Sequence, residues 1–202
     1  MTAELNITSN FTFLTGGSHP EEYMRRAAYL GLRAIAIADE NTVAGIVRAH
    51  TEAREIARAV RLRQAEALIG PPAPDHLPTP PSADIYNAPR LIPGARIVVE
   101  NGVTAVVLPR DRAAWGRLCR LISTGRLRAE KGDCQLRMED LLNWAEGQEM
   151  LLIPTRLTHG RWSDEARRLI RRFGPQCHLM LSPRYDGEDG ARFDKLAKLA
   201  ET

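Results

Sequence analysis

Near its N-terminus the chain reads ELNITSNFTFL at residues 4–14, SHPEE at 18–22 and AIAIADEN at 34–41. The pattern predicts a short strand, a loop, a capped helix and then an apolar strand of the kind buried on both faces of a parallel sheet. Polar residues follow both strands. Because α/β barrels build their active sites at the carboxyl ends of the strands, this stretch holds the candidate site.

The first helix has clear start signals. Ser18 is expected to cap it, with Glu21 completing a capping box and Pro20 in the first turn. Apolar residues at helical spacing from Val43 onward predict a second helix, and His50 falls on its apolar stripe. The spacing therefore predicts that His50 is a core histidine.

The rest of the chain alternates short apolar runs with amphipathic segments, which implies parallel strands joined by right-handed crossovers. The expected fold is an α/β protein with mostly parallel strands, an incomplete TIM-like barrel of about six strands. The predicted strands are 5–8, 34–38, 97–99, 105–108, 150–153 and 178–181. Later helices are predicted around 113–122 and 138–145, after Ser163, and at 191–200.

One segment interrupts this alternation. Residues 70–93 contain eight of the thirteen prolines and have no regular apolar period. Such a composition predicts a surface excursion or a disordered loop. With the residues just before it, the segment is expected to form an insertion at about 63–93 within a domain spanning 1–202.

The composition predicts a cytoplasmic protein. Of 202 residues, 44% are hydrophobic and 26% charged, and the net charge is +3. No apolar run approaches the ~20 residues of a membrane span, and the N-terminus lacks the pattern of a signal peptide. The scattered cysteines suggest free thiols, buried or partly buried, instead of disulfides or a zinc ribbon. They are Cys119, Cys134 and Cys177.

Several segments together resemble the N-terminal PHP domain (polymerase and histidinol phosphatase) of the bacterial error-prone DNA polymerases of the C family. Beyond the opening stretch they include AGIVRAH at 44–50, PRDRAAWGRLCRLI at 109–122 and LSPRYDGED at 181–189. PHP domains resemble metallophosphoesterases, with His, Asp and Glu ligands at barrel strand ends. The resemblance implies a parent enzyme that extends DNA during damage-tolerant replication and repair.

The same resemblance locates a degenerate metal site. The family's first motif is His-x-His, and neutral side chains that are poor transition-metal ligands stand in its place here. Another neutral residue stands where other PHP domains carry an acid. In the second motif an aspartate is kept, and a glutamate follows where many members have histidine. Asn6 and Thr8 occupy the first motif, Asn10 the position of the acid, and Asp39 and Glu40 the second motif. His159 is the best remaining histidine.

No catalytic residue, metal or other cofactor is therefore expected in this chain. Asp39 and Glu40 could hold a divalent cation weakly, with Mg²⁺, Mn²⁺ or Zn²⁺ as candidates; alternatively, Asp39 caps or hydrogen-bonds the next loop. The implied role is a structural scaffold on the polymerase core. The alternatives are a metal-dependent phosphoesterase or 3′–5′ exonuclease, and a free-standing binding protein.

The expected partners are the remainder of the polymerase chain and, weakly, DNA. Arg126, Arg128 and Lys131 are candidate phosphate contacts. The chain stops at Thr202, where the family continues into a last barrel strand. This predicts an excised domain or a truncated gene product, with an exposed edge at 178–181 that dimerises or is covered by the last helix.

Overall fold

The computed structural model describes residues 2–69, 88–100, 103–154, 161–183 and 185–201. Within these residues the chain divides into two compact units, Met1–Ala95 and Arg96–Thr202.

The first unit is a three-stranded parallel sheet with two helices. Its strands are β1 (Ala3–Ile7), β2 (Ala34–Ile37) and β3 (Arg90–Pro93), in the order β1-β2-β3. Its helices are α1 (Pro20–Tyr29) and α2 (Ile46–Ile69). All four residues of β2 are buried, as predicted for a central strand with continuous apolar sequence.

The cap of α1 lies one residue later than predicted. His19, not Ser18, occupies the N-cap, and its backbone N–H donates to Glu22 Oε2 at 2.7 Å. Pro20 takes the first helical position, where a missing N–H costs little. Glu22 therefore replaces Glu21 as the acid that reaches back to the N-cap.

The buried face of α2 also differs from the prediction. Ile46 and Ala49 are buried, while Val47 is 72% exposed and His50 is exposed. The interpretation of His50 as a core histidine is wrong. Ala49 lies one position away, and its small side chain occupies the buried face instead.

Strand β3 was missed because it lies within the proline-rich segment. Arg90 pairs with Ala34 and Pro93 with Ile37 in a parallel register. A proline at the end of an edge strand is tolerated because the missing N–H falls outside the ladder. The last four residues of 63–93 thus belong to the sheet, and α2 extends into its beginning; 70–87 lie outside the described residues.

The second unit contains a four-stranded sheet in the order β4-β5-β6-β7. The strands are β4 (Ala95–Val98), β5 (Thr104–Pro109), β6 (Gln148–Ile153) and β7 (Cys177–Leu179). The helices are α3 (Arg112–Arg128), α4 (Met138–Trp144), α5 (Arg161–Phe173) and α6 (Asp189–Ala200).

Strands β6 and β7 are parallel, but β5 and β6 are antiparallel, with Pro109 opposite Gln148. Two helices, α3 and α4, intervene between β5 and β6. They bring the chain back to the end of the sheet where β5 finishes, so that Arg110 N–H donates to Gly147 O at 3.1 Å. A single crossover helix would have produced a parallel pair.

The predicted α/β class with mostly parallel strands is confirmed. The described strands form two separate sheets, and neither closes into a barrel. Seven strands are described where about six were predicted, because β3 is added to the predicted set.

Candidate functional site

The candidate site of the first unit is centred on Asp39, which follows β2 directly. Asp39 is 1% exposed, and its carboxylate accepts three hydrogen bonds from the loop after β1. The backbone N–H of Ser9 donates to Oδ1 at 2.7 Å, and the Ser9 hydroxyl to Oδ2 at 2.7 Å. The Thr12 hydroxyl donates to Oδ1 at 2.9 Å. Both oxygens of the buried charge are thus satisfied by neutral donors of the protein.

The two hydroxyls also accept backbone hydrogen bonds. Thr12 Oγ1 accepts from the N–H of Glu40 at 2.9 Å, and Ser9 Oγ accepts from the N–H of Phe11 at 3.2 Å. Each hydroxyl therefore links the carboxylate to the backbone. The result is a closed network between the ends of two neighbouring parallel strands, β1 and β2.

Two glycines allow this network to form. A Cβ on Gly45 would lie 2.8 Å from Asp39 Oδ2 and 3.2 Å from Ser9 Oγ. A Cβ on Gly16 would lie only 1.9 Å from the carbonyl oxygen of Ser9. The backbone thus packs directly against the network on two sides, and no side chain fits at either position.

Three neutral residues on β1 and in the loop after it stand where the family has metal ligands. They are Asn6, Thr8 and Asn10, and all three are half-buried. Asn6 is the penultimate residue of β1, and among the described residues neither its Oδ1 nor that of Asn10 has a hydrogen-bond partner. Asn10 Nδ2 lies 2.7 Å from His19 Nδ1. Thr8 lies between them in sequence.

Of the five predicted site residues that the structure describes, Asp39 alone is fully buried. Glu40 is exposed and contributes its backbone N–H, not its carboxylate, to the network. His159 lies outside the described residues.

The described residues around Asp39 do not fit a catalytic transition-metal site. Both oxygens of Asp39 are occupied by internal donors, and the free amide oxygens of Asn6 and Asn10 are poor ligands for such metals. In the part of the chain that the structure describes, no group of three or more His, Cys, Asp or Glu side chains is placed to hold a metal.

Sequence reasoning missed Ser9, Thr12 and Gly45. The signal that could have found them is a buried aspartate after a fully apolar strand, since such a charge requires donors nearby. Ser and Thr in the loop after the neighbouring strand are the available donors. The prediction that Asp39 hydrogen-bonds a loop had the right chemistry but the wrong partner, because the loop after β1 supplies the donors.

Arg128, one of the candidate phosphate contacts, forms an ion pair with Asp140 within the second unit. Its Nη1 donates to Asp140 Oδ2 at 2.5 Å and its Nη2 to Asp140 Oδ1 at 3.0 Å. Nη1 also donates to the Gln135 carbonyl at 2.8 Å. The hydrogen bond from Arg128 is the main cause that lowers the pKa of Asp140. This bidentate pair counts against a phosphate role for Arg128, whereas Arg126 and Lys131 are exposed.

The three cysteines are free and half-buried, as the sequence indicated. Burial raises the pKa of each thiol, and that of Cys177 reaches about 11. A thiol with a raised pKa is a poor nucleophile and metal ligand at neutral pH. The raised pKa values therefore give no sign of an activated thiolate at these three cysteines.

The curated proteins reported below as similar to this chain are all error-prone DNA polymerases. The chain is 43% identical over 210 residues to the error-prone DNA polymerase of Ruegeria pomeroyi, which covers 98% of this chain. It is 38% identical to the error-prone DNA polymerase of Rhodopseudomonas palustris over 98% of the chain. A third error-prone DNA polymerase, from Bradyrhizobium diazoefficiens, is 37% identical over 99% of the chain. The chain spans only 16–18% of the length of these relatives.

Solved structures support the fold. A proposed metal-dependent phosphoesterase from Bifidobacterium adolescentis matches 99% of this chain and 84% of its own, with a TM-score of 0.59 and 12% identity. An amidohydrolase from Chromobacterium violaceum, solved with sulfate and no metal, matches 98% of this chain and 83% of its own. Its TM-score is 0.53 at 17% identity. These likenesses are consistent with an incomplete barrel.

No family model matches the chain. Among the described helices, none has the length and apolar character needed to cross a membrane. The sequence relationship and the fold agree, and they confirm the resemblance seen in the sequence. Along 98% of its length, the chain is a homologue of the error-prone DNA polymerases, with a fold consistent with their PHP domain.

Proposed function

We propose that this chain is the PHP domain of an error-prone DNA polymerase and that it serves as a structural scaffold without catalysis of its own. The observation that carries the proposal is the hydrogen bonding of the buried Asp39 carboxylate. The carboxylate that could serve as a metal ligand is instead the buried acceptor of Ser9 and Thr12. It ties β1 to β2 and is not free for a substrate or a metal.

The parent enzyme would extend DNA in damage-tolerant synthesis, in the cytoplasm. The relatives that carry this name are several times longer than the chain, which spans 18% of the first of them. The main partner of this domain would therefore be the remaining polymerase polypeptide. A homodimer through the edge at 178–181 stays a prediction.

DNA would be a weak partner. Arg126 and Lys131 are exposed at the end of α3 and in the loop after it. Exposed cations of this kind favour phosphate contacts without sequence preference. The net charge of +3 limits the strength of such binding.

The second candidate function is a metal-dependent phosphoesterase or 3′–5′ exonuclease. The fold likeness to the Bifidobacterium adolescentis protein favours it. It would need Mg²⁺, Mn²⁺ or Zn²⁺ held by Asp39, Glu40 and further ligands that replace Asn6 and Thr8. The present hydrogen bonds of Asp39 would have to break first, at a cost of several buried hydrogen bonds.

A chimera tests the proposal. This chain replaces the matching segment of the Ruegeria pomeroyi polymerase, and primer extension and thermal unfolding are compared with those of the parent polymerase. We expect a folded chimera that extends a primed template, and Asp39→Asn should lower its melting temperature while extension by the folded protein persists. A chimera that does not fold, or that loses extension while remaining folded, would contradict the scaffold role.

A further inference from the structure

The loop after β1 presents two large apolar side chains to solvent. Phe13 is 84% exposed and Leu14 is 92% exposed. A single exposed leucine is common on protein surfaces, but an adjacent Phe–Leu pair at the tip of a loop is a concentrated apolar patch.

The backbone of this loop is strained at the patch. Leu14 has φ of 60°, in the left-handed region that residues with a Cβ seldom adopt. Strain of this kind persists only where the surrounding structure enforces it, and it clusters at functional positions. The tip is turned by hydrogen bonds from the N–H groups of Thr15 and Gly16 to Thr12 O, both at 3.1 Å.

The base of the loop is anchored in the core. Ser9 is fully buried and Thr12 is 6% exposed, and both donate their hydroxyls to Asp39. Gly16 closes the loop against the Ser9 carbonyl, where no Cβ fits. A buried network therefore anchors both ends of the loop that carries the apolar tip, and an anchored loop loses less entropy on binding.

The chemistry of the loop selects the kind of partner. Residues 5–18 contain no charged side chain. Nucleic acid and anionic membrane surfaces are recognised chiefly through cations, which this loop lacks. An apolar pocket on a protein is the surface that the patch fits.

We infer that Phe13 and Leu14 form a docking knob for the remaining polypeptide of the polymerase. The inference rests on the proposed function, in which this chain is one domain of a much longer protein. The matched segment is only 18% of the Ruegeria pomeroyi polymerase. The rest of such a long polypeptide is the surface on which we expect the pocket. The Asp39 network would then act as the support of the knob.

The test compares the 202-residue chain with the chimera described above, each in three forms: unchanged, Phe13→Ser with Leu14→Ser, and Thr15→Ser as the matched control. Amide hydrogen exchange at residues 13–15 should be slower in the chimera than in the isolated chain by about tenfold or more. The paired serine substitution should lower the melting temperature of the chimera alone. Thr15→Ser should change neither protein.

The outcomes separate the two proposals. A folded chimera with equally fast exchange in both proteins, and no effect of the serine pair, overturns the docking knob and leaves the scaffold proposal standing. A chimera that fails to fold with the unchanged loop overturns both. If slow exchange at residues 13–15 of the isolated chain depends on concentration, the knob binds a second copy of the chain. If exchange is slow at every concentration, another part of the same chain covers the knob. Either result contradicts the inference.

Discussion

The hydroxyl of Ser9 donates to Asp39 Oδ2 over 2.7 Å, although the two residues are 30 positions apart in sequence. The bond joins the loop after β1 to the end of β2, beside a second bond from the Ser9 N–H. A buried carboxylate that is paired only with neutral donors depends on each of them, since loss of one leaves part of the charge unsatisfied.

Substitution of Ser9 should therefore destabilise the first unit. Ser9→Ala removes the hydroxyl that donates to Asp39 and accepts from Phe11 N–H, and we expect a loss of about 1–3 kcal/mol in the free energy of unfolding. Urea denaturation followed by far-UV circular dichroism measures the change. The control is Thr15→Ala, an exposed position of the same loop. Equal stability of the two variants would show that the network contributes little.

Gly45 offers a test of the packing around the same carboxylate. Gly45→Ala places a Cβ 2.8 Å from Asp39 Oδ2 and 3.1 Å from Pro20 Cγ, and the strain should cost about 1–3 kcal/mol. Gly116→Ala, in α3, meets no atom within 4 Å and should gain up to about 1 kcal/mol from helix propensity. Thermal unfolding of both variants checks the opposite signs. A neutral Gly45→Ala would mean that the loop yields easily.

The Arg128–Asp140 pair predicts a specific dependence of stability on pH. The pKa of Asp140 is lowered in the folded state, chiefly by the hydrogen bond from Arg128. The ionised carboxylate therefore adds stability above the unfolded-state pKa of about 3.9, and that stability is lost as the pH falls through the lower folded value. Asp140→Asn should cost about 1–3 kcal/mol at pH 7, and the gap to the unchanged chain should close on acidification below about pH 4.

Tryptophan fluorescence in urea is a suitable measurement, because Trp115, Trp144 and Trp162 all lie in the second unit. Asp133→Asn, at an exposed position, is the control and should show no such closing gap. A difference between Asp140→Asn and the unchanged chain that stays constant from pH 7 to about pH 2 would contradict the assignment.

DNA binding should be weak and sensitive to salt. Arg126→Ala and Lys131→Ala should each reduce the slope of log affinity against log salt by about 1, if each contacts one phosphate. Fluorescence anisotropy with a labelled duplex measures the slope, and Lys198→Ala in α6 is the control. Tight, sequence-selective binding that survives moderate salt would contradict the scaffold role.

The sequence predicted the strands well where apolar runs are continuous, as in β2, since burial on both faces leaves a clear pattern. The sequence pattern did not predict β3, because two prolines lie near the ends of this strand. Its pairing with β2 is visible only in the structure. The antiparallel β5–β6 pair was also missed, because local spacing does not show whether one helix or two return the chain to the sheet.

The candidate site was predicted in part. Asp39 was singled out because it follows a buried strand and matches the second motif of the family that the sequence resembles. Its partners Ser9 and Thr12 were not, since hydrogen bonds between residues 27 and 30 positions apart depend on how the strands align and leave no periodic signal. Arg128 was assigned to phosphate from its position among other arginines, whereas its partner, Asp140, lies 12 residues away.

We propose that this chain lacks phosphoesterase activity because Asp39 is held by the loop after β1. The most direct measurement is hydrolysis of bis(p-nitrophenyl) phosphate by the purified chain with added Mn²⁺, beside Asp39→Ala. We expect no turnover above background for either protein, together with a lower melting temperature for Asp39→Ala. Manganese-dependent turnover that Asp39→Ala abolishes, in a variant that remains folded, would contradict it.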